Sequence, residues 1–550
     1  MKFRKTSQVM VLLLTVILLI SSCNGGTTTT TQPATSGAAP TTPPEPEKVI
    51  TIATPYTIGT FSPYMYQGDG DRYISSNCYE VLVVNATPHY LPGIASSWDT
   101  PDDLTYIFHL RDNVYWQRGN PLFGDELVKV TANDVKAVFD FVMDPANGAR
   151  QQSEAVTYFK SWEVIDELTI KLTANFPSAL TLYSVTNILI WPVKAVQEKN
   201  FNLDDYPIGS GPYKFENYRI DDQITMVRNE DFRIWPNLDR VVFKIVPDKT
   251  VAAIALMNKE VDIVPQLLTT DLEAVAAKDY LALIPNEIGW YRYIGVNTLK
   301  PAFADIRVRE AMSMAIDFDS IVDAIYYNPS GAMLALNTYG GAVPLEHEGA
   351  DLETWKKYYE YNPEKAVAIL EEAGWQKGTD GIYAKDGMKL EFVIKTPAND
   401  QNRMKAGEMA ATYLKVIGIN AIPQPTEWAT FLDDIREGNT ELFIMGGGSV
   451  VGGMNMLFHS ERAKGQAHNT WIEDTHLDDL LDRGYSTIDI PTRLGILKEA
   501  STYALQLRVH LGGYLEYVQN GMNTRVTDYA EWPSFWYGLT TEHRNMDVTR

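Results

Sequence analysis

Two hydrophobic periods alternate along this chain. Leu104, Tyr106, Phe108 and Leu110 are spaced by Thr105, Ile107 and His109, and a period of two predicts a strand with one strongly buried face. Further on, Thr131-Ala-Asn-Asp134 has the form of a capping box. Val135, Val138, Phe139 and Val142 follow it at i, i+3, i+4 and i+7, which predicts a helix facing a core. Val49 to Ala53 reads as a first strand. Tyr73 to Leu82 carries apolar residues at helical spacing and places Cys78 on a buried face. Val241 to Val246 and Glu260 to Val264 are short β-rich runs flanking a helical stretch, Thr250 to Asn258. Asp305 can cap a helix whose apolar face is Val308, Ala311, Met312, Ala315 and Ile316. Pro363 to Ala373 has proline early and Gly374 just past its end, the usual asymmetry of a helix. Short strands alternating with helices predict an α/β protein.

The amino-terminal pattern differs. Lys2, Arg4 and Lys5 precede an apolar run, Val9 to Ile20, then Ser21, Ser22 and Cys23. The run matches a signal-peptide core and is shorter than the roughly 20 residues a membrane span needs. Leu19-Ile-Ser-Ser-Cys23 resembles a bacterial lipobox, so residues 1–22 are expected to be a leader and Cys23 the lipid-bearing first residue. Residues 23–48 are rich in threonine and proline and cannot bury apolar area. They are expected to form a disordered tether spanning about 25–30 Å as a coil.

Composition narrows the function. The 550 residues carry a formal net charge of −23, and losing Lys2, Arg4 and Lys5 with the leader makes the body more acidic still. Such a body repels nucleic acid. The length exceeds one ordinary domain. Cys23 and Cys78 are the two cysteines; with Cys23 lipidated, no disulfide framework remains. No metal-protease, P-loop, nucleophile-elbow or C-x-x-C motif occurs. His459, His468 and His476 share a polar region, but their spacings match no metal-ligand motif. Neither a catalytic site, nor a metal, nor a cofactor is expected. The competing class is a secreted lipoprotein hydrolase acting on glycans or peptides, which distant carboxylate pairs could support without a motif.

Several motifs in order carry a resemblance. They include Leu91-Pro-Gly-Ile-Ala-Ser-Ser-Trp98, Pro207-Ile-Gly-Ser-Gly-Pro-Tyr-Lys-Phe215, Glu260-Val-Asp-Ile263, Asp305-Ile-Arg-Val-Arg-Glu-Ala-Met-Ser-Met-Ala-Ile-Asp317 and Glu372-Ala-Gly-Trp375. From about residue 50 to about 480 the chain resembles the extracellular solute-binding proteins of the oligopeptide, dipeptide and nickel class, family 5, of bacterial ABC transporters. The resemblance implies a periplasmic-binding-protein-like type II fold of three lobes. The ranges are 49–80, 186–297 and 507–550 for a discontinuous first lobe, 81–185 for a small inserted lobe, and 298–506 for a third. It further implies a monomer that captures an oligopeptide or oligosaccharide by hinge closure and delivers it to permease subunits, or senses it without transport.

Read from the residues themselves, Gly209 and Gly211 form a tight turn feeding a strand, and Arg307 and Arg309 need partners because cations are unfavourable in the first turn of a helix. Peptide binders of this family often carry an aspartate near an aromatic-glycine strand that meets the peptide's amino group. The matching stretch here, Leu442 to Met456, has no acidic residue, which favours a sugar as much as a peptide. One cleft wall is expected from the loop Phe61 to Asp71, with Tyr64 and Tyr66. The other is expected from Gly446 and Gly447, with Trp428, Asn455, Asn469 and Trp471 as ligand-binding side chains.

Overall fold

The computed structural model describes residues 46–66, 69–86, 89–285, 290–326, 335–338, 352–448, 453–466, 470–528, 539–541 and 544–549. Cys23 and Asn469 lie outside them, as does His468. No helix among the described residues is long and apolar enough to cross a membrane.

The first strand is Val49–Thr54, inside a seven-stranded sheet. Its neighbours Arg240–Ile245 and Ile263–Val264 run parallel to it. Gln519–Asn523 then pairs antiparallel with Ile263–Val264 and with Leu281–Pro285. A six-stranded sheet follows the order Ala335–Asn337, His510–Glu516, Trp290–Val296, Leu442–Gly448, Glu391–Pro397, Asn420–Thr426. Its last three strands are parallel. A four-stranded antiparallel sheet is built from Ala95–Asp102, Thr105–Leu110, Thr169–Ala174 and Phe159–Asp166.

Two strands do not fall where the sequence ranges put them. Trp290–Val296 and His510–Glu516, expected in the first lobe, are hydrogen-bonded along their lengths into the six-stranded sheet. The chain passes from one sheet to the other between Pro285 and Trp290, and back between Glu516 and Gln519. At the first crossing no sharp composition change separates the two strands, LALIP and WYRYIGV.

Local signals explain the elements. In Thr105–Leu110 every second residue, Tyr106, Phe108 and Leu110, is buried. Leu104 instead sits in the preceding turn and is exposed, its N–H bound to Asp102 Oδ1 at 2.8 Å. Asp134 Oδ2 accepts from the Thr131 N–H (2.8 Å) and hydroxyl (2.7 Å), closing the start of the helix Ala132–Met143. Val135, Val138, Phe139 and Val142 of that helix are buried.

Cys78 ends the helix Asp69–Cys78 with its thiol fully buried, and burial raises its pKa. Gly209 and Gly211 do precede a strand, Tyr213–Arg219, but their reason is packing. A Cβ on Gly209 would lie 2.3 Å from the Cys78 carbonyl, and one on Gly211 2.6 Å from that of Asn77. Arg307 pairs with Asp305 at 2.6 Å. Arg309 is buried and donates to the Leu507 carbonyl at 2.9 and 3.1 Å; burial pushes its pKa down to about 10.

Candidate functional site

Both large sheets present the carboxyl ends of their parallel strands at the ends where the chain crosses between them. In open α/β sheets that is where ligands bind. On the seven-stranded side these ends are Thr54, Ile245 and Val264, and the loops beyond them carry Tyr56, Lys249 and Gln266. The Tyr56 hydroxyl donates to Gln266 Oε1 (3.2 Å), and the Gln266 N–H donates to Asn520 Oδ1 (3.1 Å). Gln266 holds φ at +54°, a conformation that costs a non-glycine residue about 1–3 kcal/mol and is concentrated at functional sites.

On the six-stranded side the ends are Pro397, Thr426 and Gly448, joined by Trp290 at the start of its own strand. Arg292 stands opposite Gly446 in register. Its Nε donates to Glu516 Oε2 at 2.7 Å. Glu516 Oε1 also accepts from the Tyr326 hydroxyl (3.0 Å) and Asn402 Nδ2 (3.3 Å). Burial works against the Arg292 charge, but Glu516 outweighs it and raises the pKa. Arg403 Nε donates to Asp400 Oδ2 at 2.6 Å. Burial pulls Asp400 up; the charge and N–H groups of Arg403, with help from Arg292, outweigh that and hold it below the ordinary carboxylate range. Each guanidinium lies against an indole: Arg292 is 5.5 Å from the Trp290 ring centroid, and Arg403 5.5 Å from that of Trp428. Both indoles keep an open face, Trp290 39% and Trp428 37% exposed.

The expected site residues separate into groups. Trp428 and Gly446 do come together, through Arg403, whose Nη1 reaches Met445 Sδ at 4.0 Å. Gly446 does not leave a gap for ligand, however. A Cβ there would sit 2.2 Å from Arg292 Nη1, so protein fills the space. Gly447 is paired with Tyr291. Trp471 packs against Gly438, before the same strand begins. From Leu442 to Gly446 the strand alone runs about 13 Å at about 3.3 Å per residue, so Trp471 sits toward the other end of the strand from Gly446. Asn455 is buried in the helix Gly453–Phe458, and its Oδ1 accepts from Arg462 Nη1 at 3.2 Å.

Tyr64 stacks on Trp191 (5.4 Å between centroids) and meets Phe141 edge-on (4.8 Å). The Tyr66 hydroxyl donates to the Asn187 carbonyl at 2.8 Å. Both rings thus face the body of the protein. Their loop is pinned by Asp71, which accepts from the Gly59 and Thr60 N–H groups, and by Asp204, which accepts from those of Phe61 and Ser62. His459 lies beside Asp478 and Asp482, yet no group of three or more His, Cys, Asp or Glu among the described residues could hold a metal.

The residues that build the two edges, Lys249, Gln266, Trp290, Arg292, Asp400, Arg403 and Glu516, were not singled out from sequence. The available signal is their position just past β-rich runs. The pairing of Arg292 with Glu516, 224 residues apart, shows only when strands are placed.

Two α/β sheets, crossed twice by the chain and opposing the carboxyl ends of their parallel strands, define the periplasmic-binding-protein-like type II class. Within that class the chain belongs to the bacterial extracellular solute-binding proteins, family 5; residues 89–467 match the middle region of that family. This is a family of extracytoplasmic binding proteins, not of enzymes. The chain is 30% identical over 304 residues to the oligopeptide-binding protein AppA of Bacillus subtilis, covering 54% of each protein. It is 28% identical over 376 residues to the heme-binding protein A of Haemophilus influenzae, covering 64% of this chain and 65% of that one. The chain thus spans between about half and two-thirds of the length of these two relatives. The solved structure of HbpA2 from Haemophilus parasuis superposes with a TM-score of 0.77 at 24% identity, covering 91% of this chain and all of that one.

Proposed function

We propose that this chain is the solute-capturing component of an ABC importer, held outside the cell membrane through lipid on Cys23. In this reading it takes an oligopeptide into the cleft between the two sheet edges, closes by hinge motion where the chain crosses between the two sheets, and delivers the solute to permease subunits as a monomer. The observation that carries the reading is the six-stranded edge. Its arginines and carboxylates are paired with one another, and beside them stand two half-open indoles. Such a wall receives a polar, unbranched chain without demanding a fixed side chain. The name of the Bacillus subtilis relative favours a peptide. The glycine strand lacks an acidic residue, but Glu516 on a neighbouring strand supplies one at the same edge. The exposed faces of Trp290 and Trp428 support an oligosaccharide as the second reading, since aromatic platforms stack on sugar rings as well.

A thermal-shift screen of the body from residue 47 against peptide and oligosaccharide pools separates the two. A ligand at 100 times its Kd adds about 2.7 kcal/mol of apparent stability. Shifts with peptides alone support the first reading, and shifts with sugars alone replace it. For the anchor, Cys23→Ser should move the protein from the membrane to the soluble fraction. Retention on salt-washed membranes would refute lipid attachment there.

A further inference from the structure

The two walls of the cleft differ in charge balance. At the six-stranded edge Arg292 is matched by Glu516 and Arg403 by Asp400. At the seven-stranded edge Lys249, half-buried at the start of the helix Lys249–Met257, has no such match among the described residues. Its one hydrogen bond among the described residues is a long one, 3.4 Å to Gln266 Oε1, an oxygen already accepting from Tyr56. The acidic neighbours are engaged elsewhere. Asp248 Oδ1 caps the helix through the Val251 N–H at 2.9 Å, and Asp271 Oδ2 accepts from the Thr250 hydroxyl at 3.5 Å.

We propose that Lys249 is the receptor for a carboxylate carried by the solute, the cleft being the solute site as read above. An ammonium taken partly from water needs a charged acceptor more than a shared amide oxygen. Three segments of the chain converge on it. Tyr56 fixes Gln266 through its side chain, Asn520 fixes it through its backbone, and Gln266 in turn aims Lys249. Burial lowers the lysine pKa, and a bound anion would reverse that penalty. The carboxylate could be a peptide C-terminus or a uronic acid, and the chemistry at Lys249 is the same for both.

The test is calorimetric titration of the full chain and of Lys249→Met and Lys249→Arg. The probes are tri- to pentapeptides with free C-termini, their amidated twins, oligogalacturonides, and neutral oligogalactosides. At a half-exposed position both variants should keep the parent melting temperature. Wild type should bind a free acid at least tenfold tighter than its neutral twin. Lys249→Met should bring the two within threefold by weakening the acid alone, and Lys249→Arg should keep most of the preference. If peptides fail and oligogalacturonides bind with this dependence, the receptor stands while the peptide reading falls. Equal binding of acid and neutral twin, an acid preference that survives Lys249→Met, or no binding by any carboxylate-bearing probe would overturn the proposal.

Discussion

The amide of Ala179 donates to the carbonyl of Tyr485 across 2.9 Å. Ala179 immediately precedes the helix Leu180–Thr186, which follows the four-stranded sheet, and Tyr485 lies in the helix Thr475–Ser486. Leu180, next to the bond, packs against the apolar cluster that contains Leu477, Leu481 and Tyr485. The small sheet region therefore reaches elements that pack behind the six-stranded sheet, far along the chain from its own.

This contact can report on closure. If it forms when the cleft shuts, Leu180→Asp puts a charge into an apolar seam in the shut state only, where burial is costly. Solute dissociation should speed up several-fold in stopped-flow measurements, with association and far-UV circular dichroism unchanged. An unchanged dissociation rate would show that the contact is static.

Gly446→Ala should disturb the paired charges without replacing either of them. The new methyl would meet the Arg292 guanidinium, which has to swing away from Glu516. A carboxylate that is mostly buried then loses its charged donor, a loss on the order of 1–3 kcal/mol. Urea unfolding should record it. Arg292→Met alone should cost a similar amount, and the two losses should not add in the double variant, because each leaves Glu516 without the same donor.

The Asp400–Arg403 pair sets a pH dependence. The folded pKa of Asp400 lies below its unfolded value, about 3.9. The stability it contributes is thus fully present above roughly pH 4 and is lost as pH falls through the folded value. Arg403→Met removes the guanidinium and leaves burial opposed only by the backbone N–H at position 403 and by Arg292, so the Asp400 pKa moves upward. The stability gap between wild type and Arg403→Met should be widest at pH 7 and shrink under acid, as measured by urea melts between pH 3 and 7. A gap independent of pH would mean that Arg403 matters by packing only.

What the sequence made legible follows from the range of the forces involved. Thr131 and Asp134 are three residues apart, and the alternation from Tyr106 to Leu110 is a local rule. Caps, strand faces and the α/β class could therefore be read directly. The reading of Gly446 as open space failed for a non-local reason: the atoms filling it belong to Arg292, on another strand. Tyr64 and Tyr66 were placed on a loop correctly, but the composition of a loop does not say which way its rings point. Trp471 and Trp428 look alike in sequence but lie toward opposite ends of a strand, because Trp471 packs on Gly438, ahead of Leu442–Gly448, and Trp428 reaches Met445 through Arg403.

Trp428, expected from sequence as a ligand-binding side chain, stands at the six-stranded edge beside Arg403 and offers the sharpest test of the site. It opens the helix Trp428–Arg436, whose N-cap Glu427 accepts from the N–H groups of Ala429 (2.9 Å) and Thr430 (3.2 Å). The cap, not the indole, starts the helix, so Trp428→Ala should fold. One face of the indole lies by the Arg403 guanidinium, and 37% of the residue remains exposed. A large apolar surface left open beside a paired charge gains by being covered. As a central anchor it should cost more than about 1 kcal/mol of binding when removed, fivefold or more in Kd. Trp428→Phe should retain part of that. Hydrogen exchange gives an independent readout: solute should protect residues 426–430 and 264–267 together, since they belong to opposite edges of one cleft. Full affinity in Trp428→Ala with the fold intact, or protection of one edge alone, would place the solute elsewhere.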